Sequence, residues 1–265
     1  MFNLNLPKPS KLFSLNPEGL GTPYTESLAS YAMRLAEAHC IDIQDLIDQF
    51  IYPLIGHLWE DEQAQPRVVK ARRPFMPATL HPYFNVSKWL DMSNETKFTI
   101  AALSVLTKRN DIYLLTVLPL EGYVKQDSIF RGMRAWCCGC YEEQKNIGRP
   151  VHDLLIWSFR DVCMCLRHEQ RLRSACYWCT ARQPVLNFYS KPGYCTKCGS
   201  WLGDGYNYRS EATYQDQWNA EAVGHLLTNW NSFKPHASQR QPTLQRLLAG
   251  SYETKDIMGS LLRGM

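Results

Sequence analysis

Hydrophobic positions recur at helical spacing through most of the first 120 residues. Leu28, Tyr31, Ala32, Leu35 and Ala36 share one face of the stretch from Thr25 to His39, with Glu26, Arg34 and Glu37 on the other, and that period predicts an amphipathic helix. Asp42 stands where an N-cap belongs before a second helix carrying Ile43, Leu46, Ile47 and Phe50, with Pro53 as its stop. Tyr83 to Leu90 predicts one further helix. Ser93 then caps another, whose stripe is Phe98, Ala101, Ala102, Val105 and Leu106. The polar turn of Lys108, Arg109, Asn110 and Asp111 leads into a short apolar segment, Ile112 to Leu118, closed by Pro119. Each of these two helix pairs is a helix-turn-helix candidate, and each is equally readable as an ordinary helical hairpin. Strand-like alternation is missing, so this half is expected to be helical.

The pattern weakens at the flanks. Residues 1 to 22 hold Pro7, Pro9, Pro17, Gly19 and Gly21, which disfavour regular structure and suggest an arm that docks through Phe13 and Leu15. A helix is expected around Pro150 to Phe159. Gln217 to Trp230 is amphipathic through Trp218, Ala222, Val223, Leu226, Leu227 and Trp230, and two shorter helical stretches follow near Thr243 to Leu248 and Thr254 to Leu262. Their apolar faces need a surface, either the middle of this chain or another protein. The expected organisation is an arm (1–22), a helix-turn-helix-like helical domain (23–130), a tandem zinc-finger domain (131–203) and a C-terminal helical extension (204–265).

That middle domain rests on its cysteines. Four ligand pairs follow one another: Cys137 and Cys140, Cys165 and His168, Cys176 and Cys179, Cys195 and Cys198, each pair separated by two residues. Such spacing lets a tight turn aim both side chains at one tetrahedral metal, and two pairs close a four-coordinate site with no position left for water. The 15 residues between Cys179 and Cys195 suit a zinc ribbon. Two structural zinc ions follow. Sequential pairing is preferred over a cross-braced arrangement of first with third and second with fourth, which uses the same eight residues. Cys40, Cys138 and Cys163 fall outside the scheme and read as small buried hydrophobes or bystanders. The fold class is therefore mainly α with small zinc-ribbon and zinc-finger modules.

Composition changes this picture little. The chain has 265 residues, 45% of them hydrophobic, and a formal charge of +4; seven thiolates and two zincs would move that charge about three units toward neutral. A histidine among the paired ligands is unexplained by disulfides and favours a reducing compartment. No run reaches the roughly 18 apolar residues of a membrane span, and the first twenty residues lack a signal-peptide core, so a soluble, intracellular protein is expected. Arg67, Lys70, Arg72 and Arg73 fall within seven residues; with Lys108, Arg109, Arg131 and Arg134 they are the candidate nucleic-acid contacts, although such a run is also a common solvated face.

Enzyme signatures are few. Glu169 and Glu142 lie beside candidate ligands, but a hydrolytic zinc keeps an open position, and the order His-x-Glu before Pro-Cys-x-x-Cys of zinc deaminases is missing. Neither a phosphate-cradling Gly-rich loop, nor G-x-S-x-G, nor H-E-x-x-H occurs. His57 and His81 stand isolated among apolar and proline neighbours. A non-catalytic protein is expected.

Two stretches resemble a known family. Gly19 to Ile47, "GLGTPYTESLASYAMRLAEAHCIDIQDLI", is similar to the opening of TniQ/TnsD transposon target-selection proteins. "WCCGCYEE" at 136–143, "CLRHEQRLRSACYWC" at 165–179 and "CTKCGSWL" at 195–202 resemble the family's tandem zinc-finger core. The resemblance implies a bacterial, cytoplasmic, nucleoid-associated adaptor in DNA transposition. It would sit between a target-recognition module, such as the RNA-guided CRISPR effector Cascade, and an AAA+ ATPase regulator (TnsC-like) that recruits the transposase. It also implies target DNA, guide RNA and a second copy of the chain as candidate partners. Site-specific DNA recognition by the chain itself, as in TnsD-like members, is the alternative; this chain is shorter than those.

Overall fold

The computed structural model describes residues 9–55, 89, 92–120, 129–205 and 212–229. Outside them lie the start of the arm, the basic run Arg67 to Arg73, His57, His81, most of the Tyr83 to Leu90 helix and the two expected C-terminal helices. Among the described residues the regular elements are helical, and extended pairing is limited to isolated antiparallel bridges.

Helix α1, Leu28–Ala38, begins at Ser27, whose side chain accepts from Ser30 N, satisfying an otherwise unpaired first-turn amide. It starts later than its periodicity suggests because the preceding backbone is extended: Leu155 N donates to Thr25 O at 2.7 Å and Ser27 N to Asp153 O at 2.9 Å. The expected polar face is buried too. Arg34 Nη1 lies 2.5 Å from Glu26 Oε2, and only Glu37 of that face reaches solvent.

Helix α2, Ile43–Leu46, follows a short turn and widens into a π-helical turn at Ile47–Ile51, with Tyr52 N donating to Ile47 O. One extra residue per turn moves the inward face by one position. Ile51 is therefore fully buried while the expected Phe50 is only partly so, and the helix runs past Pro53 to 55.

Helix α3, Asn94–Thr107, starts at Ser93 as expected and ends at Lys108 in the left-handed region, φ 57°. It packs on the π-helical turn, and the arm adds to its end, with Leu12 N bonded to Leu106 O at 2.9 Å. Leu12 rather than Phe13 enters the core; Phe13 stacks on His39 with ring centroids 4.1 Å apart. The segment after Asp111 forms two 3-10 turns, Ile112–Leu115 and Leu118–Leu120, separated by an extended Thr116. The second helix-turn-helix candidate is thus a helix followed by 3-10 turns.

Two differences concern the middle and the end. The helix expected over Pro150 to Phe159 is one 3-10 turn, Leu155–Ser158, because Leu154 is drawn into a bridge with Glu26. Helix α4, Cys138–Asn146, was not expected at all. Helix α5, Tyr214–Thr228, opens with a capping box of Thr213 and Asp216. Its inward side is Ala220, Gly224 and Leu227, so Trp218 and Ala222, expected inside, face solvent. Arg171 Nη2 fixes the start of α5 through Asp216 Oδ2 at 2.9 Å.

Candidate metal centre

Three of the four pairs are built alike. Cys165 N donates to Gln170 O, Cys176 N to Ala181 O and Cys195 N to Ser200 O, at 2.8, 3.0 and 2.9 Å. The return bonds run from Glu169, Thr180 and Gly199 to the carbonyls of the same three cysteines. Closing that turn puts the fourth residue after each cysteine at positive φ, 49° for Glu169, 57° for Thr180 and 70° for Gly199. Bridges Met164 with Arg171, Ala175 with Arg182 and Tyr194 with Trp201 close the base of each knuckle. The first pair differs: Cys137 is the N-cap of α4 and Cys140 lies in its first turn.

The knuckles meet in sequential order. Cys137, Cys140, Cys165 and His168 form one cluster and Cys176, Cys179, Cys195 and Cys198 the other, with the donor atoms in each within 4.8 Å of one another. In the first, His168 Nδ1 lies 3.6, 3.4 and 3.7 Å from the sulfurs of Cys137, Cys140 and Cys165. Cys140 and Cys165 sulfurs are 3.5 Å apart. In the second, Cys176 to Cys198 is 3.8 Å and Cys179 to Cys195 is 3.6 Å. Around a tetrahedral zinc with bonds of about 2.3 Å to sulfur and 2.0 Å to nitrogen, the edges are about 3.8 Å for two sulfurs and 3.5 Å for sulfur and nitrogen. The donor sets fit.

Without metal the crowded thiols cannot ionise together. Hydrogen bonds from Cys137 and Cys140 hold the Cys165 thiol far below its usual range, while the bond to Cys137 pushes Cys140 upward. In the second cluster Ser200 draws Cys198 down to about 6. Protons therefore compete with metal for both clusters. Cys138 lies beside them, yet its sulfur points to Leu202 O at 3.3 Å and burial pushes it up to about 11. Cys163 turns toward Arg160 O at 3.8 Å. Both stay outside the ligand sets, as does exposed Cys40.

Supporting residues carry no signature in the sequence. Buried Gln183 donates to Cys195 Sγ at 3.2 Å and accepts from Thr196 N at 2.8 Å. Trp201 packs at 5.7 Å on Tyr141 of α4 and bonds Glu142, which joins the second module to the helix bearing the first pair. Gly193, at φ +77°, leaves room for it, since a Cβ there would lie 2.3 Å from the Trp201 ring.

The candidate nucleic-acid residues are not brought together. Arg134 is corrected to a core residue: 6% exposed, it pairs with Asp153 at 2.7 Å and donates to Tyr141 Oη at 2.9 Å. Arg131 is spent on the carbonyls of Trp157 and Phe159, at 3.1 and 3.0 Å. Arg109 pairs with Asp111 at 2.5 Å and donates to Asn16 at 2.8 Å. Lys108 is exposed at the end of α3, and the Arg67 to Arg73 run lies outside the described residues. No described helix is long and apolar enough to cross a membrane.

A family model, TniQ, matches residues 17–172, more than half of the chain. The chain belongs to the TniQ family. Its role is therefore in transposition, in target selection or as an adaptor. The TniQ match includes all four residues of the first cluster and ends before Cys176, so the second cluster lies beyond it. No curated protein matches the chain.

Proposed function

We propose that this TniQ protein is a non-catalytic, zinc-stabilised adaptor that joins an RNA-guided effector, such as Cascade, to a TnsC-like AAA+ regulator during targeted transposition. The observation that carries the reading is the family match over residues 17–172. Two closed donor sets support it: with four protein ligands each, zinc would have no open position for a reacting water and would serve to hold loops in place. The eight ligands would be Cys137, Cys140, Cys165 and His168, then Cys176, Cys179, Cys195 and Cys198. Knuckle turns and α4 would supply a rigid frame from which neighbouring surfaces meet partners.

Co-purification with the effector complex and with the ATPase, each added separately to the full chain, tests this. The adaptor binds both, and its association with DNA is weak, steeply salt-dependent and indifferent to sequence. Retention of one DNA site against competitor at physiological salt, without either protein, would replace this reading with direct site recognition. Substituting Arg67, Lys70, Arg72 and Arg73 together reduces nucleic-acid association if that run contacts phosphates; unchanged association assigns it to solvent.

A further inference from the structure

The first cluster has a support on the far side of its histidine. His168 directs Nδ1 at the three sulfurs, at 3.4 to 3.7 Å, and Nε2 the other way, 3.6 Å from Glu143 Oε2. Glu143 stands three residues after Cys140 on α4, so one helical turn presents a ligand and a carboxylate on the same side. The carboxylate is held in turn: Arg167 Nη1 donates to Glu143 Oε2 at 2.9 Å. Arg167 is one of the two residues between Cys165 and His168, and its guanidinium lies over the Tyr24 ring, 4.3 Å from the centroid. Tyr24 is fixed by the N-terminal turn, where Gly19 at φ +65° approaches so closely that a Cβ would meet Tyr24 O at 2.3 Å.

An imidazole can bind metal through either nitrogen, and the choice follows the partner of the other one. A carboxylate facing Nε2 favours the proton there and leaves the Nδ1 lone pair for the metal. We propose that Glu143 is the outer-sphere carboxylate of the first zinc site, selecting Nδ1 of His168 as ligand, and that Arg167 ties this selection to Tyr24 and the N-terminal turn. The assignment rests on reading the first cluster as a zinc site. At 3.6 Å the contact is electrostatic rather than a hydrogen bond, and Glu143 is partly solvated, so its effect belongs at the lower end of the outer-sphere range, about tenfold in affinity. The second cluster has four sulfurs and no imidazole, which makes it an internal control.

The experiment uses the full chain loaded with zinc, titrated against a chromophoric chelator, with cadmium-113 resonances separating the three-sulfur, one-nitrogen site from the four-sulfur site. Glu143→Gln keeps size and removes charge. The expected result is zinc held about tenfold less tightly at the first site, unchanged affinity at the second, and a nitrogen-15 spectrum in which His168 loses its single Nδ1-bound, Nε2-protonated form. Arg167→Met and Tyr24→Ala shift the first site alone in the same direction by smaller factors. First-site affinity within twofold of the parent in Glu143→Gln, or equal weakening at both sites, overturns the assignment of Glu143. Parent-like affinity in both other variants overturns the link to Tyr24. If the parent chain binds zinc only at the four-sulfur site, it is the zinc reading of the first cluster that fails.

Discussion

The two metal clusters have similar donor geometry and opposite settings. In the first, all three cysteines are buried, and its surroundings bind α1, α4, the N-terminal turn and α5 together through Glu26, Asp153, Arg167 and Arg171. In the second, Cys198 is exposed and Cys179 half-buried, and it is attached to the rest by Trp201 against α4, by Trp136 Nε1 donating to Leu202 O at 2.9 Å and by Arg134 N donating to Gln183 O at 2.9 Å. One cluster is a keystone of the core and the other a module fastened to it. The same ligand chemistry therefore carries different consequences for the fold.

Losing one ligand at each cluster tests this most strongly. Cys140→Ser should cost zinc at the first site and with it the cooperative fold of the helical half, seen as loss of far-UV circular dichroism and of a sharp thermal transition, because structural zinc binding contributes on the order of 10 kcal/mol. Cys198→Ser should remove one zinc while α1 to α3 keep their signal. Equal outcomes for the pair would end the distinction between core and module.

Next in size is a buried ion pair of the first region, Arg134 with Asp153. Asp153→Ala leaves the Arg134 charge buried beside Tyr141 and should cost about 3 to 5 kcal/mol by denaturant unfolding. A loss below 1 kcal/mol would show that water reaches Arg134.

Glu26 makes the core region pH-sensitive. Burial pushes its carboxyl from 4.5 up to about 7, although Arg34 pulls the other way. Between these values the folded chain holds a proton that the unfolded chain has released. The contribution is therefore fully present below 4.5 and is lost as pH rises through about 7, a total of about 3 kcal/mol. The parent minus Glu26→Gln difference in unfolding free energy should fall over that window; a flat difference contradicts it. The smallest effect belongs to the second module: Gln183→Ala removes a donor to Cys195 Sγ and should cost about 1 to 3 kcal/mol there, leaving the first site's zinc affinity unchanged.

Legibility followed the range of the interaction responsible. The cap at Ser93 and the knuckle spacings act within four residues, so periodicity and spacing place them, whereas the start of α1 at Ser27 depends on the distant backbone of Asp153 and Leu155. The π-helical turn after Leu46 moved the inward residue from Phe50 to Ile51, and no local rule announces it. Helix α4 has no local signature because its nine residues carry little apolar periodicity; it stands on Cys137, Cys140 and buried Tyr141. Pro150 to Phe159 has a helical pattern, but Glu26, more than a hundred residues earlier, pairs with Leu154 and holds its backbone extended. Arg134 is a candidate nucleic-acid contact by sequence because its partner Asp153 is 19 residues away.

The sequence by itself determined the eight donors and their grouping into four pairs, since a two-residue gap between ligands is a local constraint that any fold must respect; which pairs share a metal was decided by the fold, which joins them in sequential order. Its opening and its cysteine neighbourhoods carried the family resemblance. Only the tertiary structure decided that one cluster lies in the core and the other at its edge, that Arg34 and Arg134 are internal, and that Glu143 stands behind His168. Those outcomes depend on burial and on charges brought together from distant positions, and neither is written in any short stretch of chain.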